Sequence, residues 1–218
     1  MSIDGYLDST AVKRLPLSNA ADFDRVDAVR ASCDAILVGA TTVRNDNPRL
    51  LIRSADRRAD RIARGQPPSP KKVTLTATGR LETSAEFFTT GDAEKIVYCA
   101  SDTADQVRRR LGPLATVVDG GRRVDMQRLS QDLHARGIER LMVEGGGTVL
   151  TQFLAADLAD ELQLVIAPFF VGDSRACRVV SDERFPWTPS RRAPLADVQQ
   201  IGDVVLLKYA LSSRCASD

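Results

Sequence analysis

Short apolar runs and longer amphipathic stretches take turns along most of this chain, and that alternation restricts the fold more than any single motif. Ala35-Ile36-Leu37-Val38 reads as a buried strand ending at Gly39. Val73-Thr74-Leu75-Thr76, Ile96-Val97-Tyr98-Cys99 and Thr116-Val117-Val118 repeat the pattern. Arg140 to Val143, Glu161 to Ala167 (stopped by Pro168) and Asp203 to Leu211 complete the strand candidates. Helix-forming segments lie between them: Ala20 to Ser32 behind a Ser18 cap, Thr41 to Asn45, Thr103 to Leu111, Asp125 to Arg136 ended by Gly137, and Thr148 to Ala156. Such alternation predicts an α/β sheet, mostly parallel, with helices on both faces. No helix is evident between Ala167 and Asp203, which predicts an antiparallel C-terminal edge. Leu50-Leu51-Ile52 reads as a brief extended piece. Residues 53–72, rich in arginine and then proline, read as an exposed insertion with mostly solvated charges.

Composition removes several classes of function. The 218 residues carry 30 basic and 29 acidic side chains, a formal charge of +1, so no global field gathers nucleic acid or an anionic membrane. No apolar run approaches the ~18 residues that span a bilayer, and the N-terminal residues lack the pattern of a signal peptide. Cys33, Cys99, Cys177 and Cys215 are far apart, with no C-x-x-C, which fits a reducing cytoplasm and predicts neither zinc nor a disulfide framework. The one histidine, His134, sits in a polar helical run, so triads and histidine-rich metal centres drop out. No metal is expected.

The segment with most chemical content is Leu141-Met142-Val143-Glu144-Gly145-Gly146-Gly147-Thr148-Val149-Leu150. A strand that passes into a helix through glycines gathers uncovered backbone N–H groups at a helix start, where the dipole favours phosphate. The same glycines also suit a purely structural tight turn. Glu144, an ionisable group at the lip of that turn, favours a ligand. The dinucleotide fingerprint G-x-G-x-x-G and the P-loop are both absent. Ligands in open α/β sheets sit at the carboxyl ends of strands, which puts Thr41, Thr42 and Asp46 on one rim with Glu144 if the two strands are near neighbours. Arg30 and Arg53 flank this segment and offer guanidinium to an anionic tail, or are solvated. Asp46 either caps its own turn or exchanges hydrogen bonds or a proton with a ligand.

Ala35 to Leu50, which includes Gly39-Ala40-Thr41-Thr42-Val43-Arg44-Asn45-Asp46-Asn47-Pro48, resembles the central motif of the riboflavin-biosynthesis pyrimidine reductases. These are the reductase half of the bifunctional deaminase-reductase and are related in fold to dihydrofolate reductase. Val143 to Thr148, Asp160-Glu161-Leu162 and Ala167-Pro168 to Gly172 resemble the family's second motif block, and Ser2-Ile3-Asp4-Gly5 its opening Ser-x-Asp-Gly. The motifs stay in register from residue 1 to about 211, which predicts one reductase domain over 1–211 and a disordered tail at 212–218.

The resemblance implies an NADPH-dependent reductase acting on a ribosylamino-pyrimidine 5′-phosphate, and a homodimer. It implies that Thr42 and Asp46 face the cofactor, with Gly145, Gly146, Gly147, Thr148, Val149, Leu150 and Thr151 around its phosphates. Arg30, Leu50, Arg53 and Glu144 would face the substrate, and Asp46 is the candidate for proton handling. Thr76, Thr78 and Arg80 stand where the family contacts the adenosine ribose and its 2′-phosphate, with Ala77 in place of a common serine. Tyr6 stands where many members carry a basic residue, which favours a same-fold reductase of another substrate, a pterin or secondary metabolite. A non-catalytic nucleotide-sensing domain is a further alternative. The deaminase half, with its His-x-Glu and Pro-Cys-x-x-Cys, is missing, and the family's strand upstream of Ser2 is expected to be truncated or absent.

Overall fold

The computed structural model describes residues 1–10 and 15–215. The chain forms two compact units, residues 26–149 and residues 1–25 with 150–218, which divide within two helices.

The unit 26–149 is built on a parallel five-stranded sheet. Its strands are β1 (Ala35–Gly39), β2 (Lys71–Thr76), β3 (Lys95–Cys99), β4 (Thr116–Asp119) and β5 (Leu141–Gly145), in the spatial order β4-β3-β2-β1-β5. Helices alternate with them: α1 (Ala20–Ala31), α2 (Ala40–Asp46), α3 (Ala55–Ala63), α4 (Glu86–Thr89), α5 (Ala104–Leu111), α6 (Met126–Ala135) and α7 (Gly147–Ala155). β1 is buried at every position, as a central parallel strand must be. Ile36 and Val38 join Val43, Leu50, Leu81, Phe87, Phe88, Val97 and Val107 in one apolar cluster. The successive strands β2 to β4 are laid down on one side of β1, and β5 then takes the other side.

Several local expectations need correction. The cap of α1 is Asn19, whose Oδ1 accepts the Asp22 N–H at 3.0 Å, while Ser18 donates to the Asp22 carboxylate. The extended piece expected at Leu50–Ile52 is broken at its first residue, where Leu50 has φ 50°. Residues 53–72 are mostly exposed, as expected, but they are not irregular throughout: α3 lies there, Arg57 pairs with Asp27 at 3.0 Å, and Arg61 is 1 % exposed. Arg61 donates to the carbonyls of Ala31, Cys33 and Pro67, so it closes the open end of α1, a use of guanidinium that composition does not reveal. Burial pulls its pKa down.

In the other unit, β6 (Glu161–Ile166), β8 (Val204–Ala210) and β7 (Leu195–Ile201) form a three-stranded antiparallel sheet of their own, in that order. β7 has no clear signature in the sequence, because Leu195-Ala196-Asp197-Val198-Gln199-Gln200-Ile201 is mostly exposed and shows little apolar alternation. The pairings Val198↔Leu207, Gln200↔Val205 and Leu164↔Leu207 place Leu162, Leu164, Ile166, Val198, Val205, Leu207 and Tyr209 on one face. Val198 and Leu195 are 54 % and 53 % exposed. Of the expected tail, Ser212 and Arg214 hydrogen-bond Asp160, and 216–218 lie outside the described residues.

Lys72 in β2 is fully buried, its ammonium donating to the carbonyls of Phe87 (3.2 Å) and Thr90 (2.6 Å). Burial, then the charge of Lys95, pushes its pKa from 10.5 to about 8. Between those values the unfolded chain holds a proton that the folded chain has lost, so folding gains from rising pH across this window. Lys72→Met removes that dependence. Its stability relative to the parent is expected to be highest below pH 8 and to fall as pH rises from 8 towards 10.5, checked by urea unfolding at several pH values.

Candidate functional site

In an open parallel sheet the ligand crevice forms where the strand order reverses, because connecting loops on the two sides diverge there. The reversal in this sheet lies between β1 and β5. At their carboxyl ends stand Gly39, where α2 begins, and Glu144-Gly145, where the chain turns towards α7. A shallow depression lined by residues 92–95 and 112–116 opens at the amino ends of β3 and β4, the opposite rim.

The β1–β5 pairing slips at this point. Leu37 faces Val143 but Val38 faces Gly145, leaving Glu144 as an extra residue in β5. A bulge of this kind re-aims one side chain. Glu144 is bound by Arg30 from the last turn of α1 through two parallel bonds, Nε to Oε1 at 2.5 Å and Nη2 to Oε2 at 2.6 Å. Both side chains are about 15 % exposed, at 16 % and 15 %. Burial alone would lower the Arg30 pKa; hydrogen bonding and charge from Glu144, with Asp27 behind, raise it instead. Arg30 also reaches the Leu51 carbonyl at 3.4 Å, which ties it to the loop after α2.

Gly145 and Gly147 are buried and Gly146 half-buried, so what the turn offers is the absence of side chains. Gly145 has φ +134°, a conformation open to glycine, and a Cβ there would meet nothing within 4 Å. A Cβ on Gly146 would stand 3.1 Å from the Thr42 hydroxyl, so these two expected cofactor residues are neighbours. Gly39 packs so closely on Val149 that a Cβ would lie 2.9 Å from its methyl. Gly147 is buried and Thr148 exposed at the start of α7. Leu150 and Thr151 belong to the other unit, where the Thr151 hydroxyl accepts the Ser181 N–H at 2.9 Å.

Asp46, half-buried, is the last residue of α2, and the chain beyond it is unusual. Asn47 and Leu50 both have positive φ, 44° and 50°, although neither is glycine. Such backbone persists only where surroundings over-determine it, and it concentrates at functional sites. Here Asn47 accepts the Glu86 N–H, Arg49 pairs with Glu86 at 2.6 Å, and Leu50 is buried to 2 % in the core cluster. What Leu50 can offer a ligand is therefore main chain. Arg53 is exposed. Its segment is fixed by Asp27, a residue that the sequence pattern did not single out, whose carboxylate accepts the Arg53 N–H at 2.5 Å and the Ser54 N–H at 3.1 Å. The available signal was spacing: Asp27 and Arg30 lie one turn apart on α1.

Beyond β2, Arg44 donates to the Arg80 carbonyl at 2.9 Å and Arg110 to the Gly79 carbonyl at 3.2 Å. Two guanidinium groups thus border the loop that carries Thr78. In the other unit, the Asp4 carboxylate accepts the Ser2 hydroxyl and the N–H groups of Val171 and Gly172, bonds that, Ser2 foremost, bring its pKa to about 2. The Ser2-x-Asp4 pattern thereby clamps the 167–172 segment. Arg178 stacks over Tyr6 at 4.9 Å and donates to its hydroxyl at 3.1 Å. His134 is exposed on α6. Among the described residues no cluster of His, Cys, Asp and Glu is arranged to hold a metal ion, no cysteines are joined in a disulfide, and no helix is long and apolar enough to cross a membrane.

The family model of the RibD C-terminal domain matches residues 1–207. The chain is 32% identical over 203 residues to the 2,5-diamino-6-ribosylamino-4(3H)-pyrimidinone 5′-phosphate reductase of Archaeoglobus fulgidus, covering 93% of this chain and 90% of that one. It is 33% identical over 214 residues to the enzyme of that name from Methanothermobacter thermautotrophicus, covering 97% and 94%. Among solved structures, a pyrimidine reductase-like protein from Corynebacterium diphtheriae superposes with a TM-score of 0.79 at 24% identity, over 96% of this chain and 88% of that one. The yeast riboflavin biosynthesis reductase Rib7 superposes at 0.69 and 21% identity, over 97% and 86%. These two likenesses are of fold.

Removing Arg30 strands a largely buried carboxylate. Arg30→Ala is expected to cost about 3 kcal/mol in urea unfolding, and Arg30→Met with Glu144→Leu to recover most of that loss.

Proposed function

Because the chain belongs to the RibD C-terminal domain family, we propose that it is an NADPH-dependent reductase of riboflavin biosynthesis. Its reaction converts a ribosylamino-pyrimidine 5′-phosphate to the ribitylamino form. The diamino-pyrimidinone is the proposed substrate, since the archaeal relatives that align along nearly their whole length carry that name. The observation that carries the reading is the meeting, at the strand-order reversal, of a turn without side chains with the Arg30–Glu144 pair.

The turn fits a dinucleotide: open space beside Gly145 and the absence of a side chain at Gly146 let backbone N–H groups approach a pyrophosphate. Gly145 to Thr151 would hold it, with Thr42 and Asp46 facing the cofactor. The Arg44 and Arg110 groups beside Thr78 and Arg80 support NADPH over NADH, because guanidinium favours a 2′-phosphate. Bound, the dihydronicotinamide supplies the hydride that reduces C1′ of the sugar. The protein's task is positioning and polarisation. Glu144, held in place by Arg30, accepts donors of the substrate, and Arg53 and Arg30 attract its phosphate. Asp46 manages the proton that ring opening requires. The domain is proposed to run from 1 to 211, in a cytoplasmic protein.

Tyr6 favours a second reading, a same-fold reductase of another substrate, but Arg178 stacked on its ring keeps a cation at this position. A sensing domain would bind NADPH without oxidising it. The deciding experiment follows the loss of nicotinamide absorbance with the diamino-pyrimidinone and amino-uracil ribosylamine phosphates offered separately. Turnover of the first is expected. Silence with both, while NADPH still binds, would overturn the reading.

Two variants extend the test. Gly146→Val is expected to weaken NADPH at least about tenfold, about 1.4 kcal/mol, with the circular dichroism unchanged. The protein is also proposed to be a homodimer joined through the exposed apolar face of Val198 and Val205, since monomers rarely leave such a face open. Val198→Asp should then sediment as a monomer, and a dimer that survives it would exclude this face.

A further inference from the structure

Arg53 is held by an unusual frame. Its N–H donates to Asp27 at 2.5 Å and its carbonyl accepts from Arg58 at 2.6 Å, so the main chain on both sides of its side chain is fixed. Arg58 also binds the Ile52 carbonyl at 2.8 Å. Asp27 takes the Ser54 N–H at 3.1 Å and the Arg57 guanidinium at 3.0 Å. The carboxylate, 4 % exposed, thus lies at the amino end of α3, where the helix dipole favours negative charge. One turn further along α1, Arg30 holds the Leu51 carbonyl at 3.4 Å. α1 therefore grips the 51–54 loop twice, through Arg30 and through Asp27.

A carboxylate so enclosed is a poor investment in stability alone, because desolvation offsets most of the attraction. What it does secure is geometry. We infer that Asp27 is a positioning residue: it sets the Arg53 main chain relative to Arg30 and so determines how the substrate's phosphomonoester is recognised. The inference rests on the proposed role of Arg53 in binding that phosphate. Asp27 itself touches no substrate, and its carboxylate is filled by three donors of the protein. Burial works against its charged form, yet the donors of Arg53, Ser54 and Arg57 keep the pKa below the usual carboxylate value, so the clamp stays ionised at neutral pH.

The test is a double-mutant cycle on the full chain, read as KM and kcat with the phosphorylated ribosylamine and with its dephosphorylated analogue. Asp27→Asn offers one acceptor where two backbone N–H groups need them. It is expected to raise KM for the phosphorylated substrate about tenfold, to change kcat and the analogue's KM less than about twofold, and to weaken inhibition by ribose 5-phosphate in parallel. In an Arg53→Ala background the same substitution should change KM less than about twofold, because the two residues act as one unit. Equal losses on both substrates, or an undiminished effect without Arg53, would show Asp27 to be structural only and overturn the inference while leaving the phosphate role of Arg53 intact. Failure of Arg53→Ala to discriminate between the substrates would remove that role, and the inference with it. If Asp27→Asn does not fold, Asp27→Glu replaces it: the charge remains and the carboxylate moves by one methylene. It should show the same selectivity, and an unselective effect counts against the inference.

Discussion

Everything at the candidate site depends on how β5 lies against β1. A parallel pair in perfect register would carry Glu144 on with the alternation of its strand. The slip between Leu37–Val143 and Val38–Gly145 takes Glu144 out of that alternation just where the strand ends. Once re-aimed, the carboxylate is held by Arg30 in a two-point grip. The turn that follows must then be glycine, since Gly145 runs at φ +134° and Gly146 approaches Thr42. Bulge, ion pair and glycine turn are one construction.

That construction holds the charged groups here in place. Long side chains at a surface lose rotamer freedom when they bind a ligand, and that cost weakens binding. Arg30 has already been ordered by Glu144 and by the Leu51 carbonyl. The Arg53 segment is ordered by Asp27 and Arg58. Even the left-handed turns at Asn47 and Leu50 are held, one by Glu86 and the other by the core. Preorganisation is what a reductase needs, because the hydride donor contributes the chemistry and the protein contributes placement.

Buried cations serve the same end elsewhere in the sheet unit. Arg61 closes the carboxyl end of α1, the helix that carries Asp27 and Arg30. Lys72 satisfies carbonyls at the end of α4, whose first residue, Glu86, anchors Asn47 and Arg49. Neither could be identified from local sequence, because a basic residue in a polar stretch reads as solvated until the chain that surrounds it is known.

Periodicity and punctuation in the sequence were enough to determine the strands of the parallel sheet and the glycine turn. Those features depend on neighbours along the chain, and apolar runs and glycines record such neighbours directly. β7 was illegible because its residues are mostly exposed, and α3 because its charges masked the helix. Only the tertiary structure decided that β5 pairs with β1, that Glu144 meets Arg30 across 114 positions, and that Asp27 fixes Arg53. Contacts of that kind depend on strand order and register, which arise when distant segments pack and which no short stretch of sequence encodes.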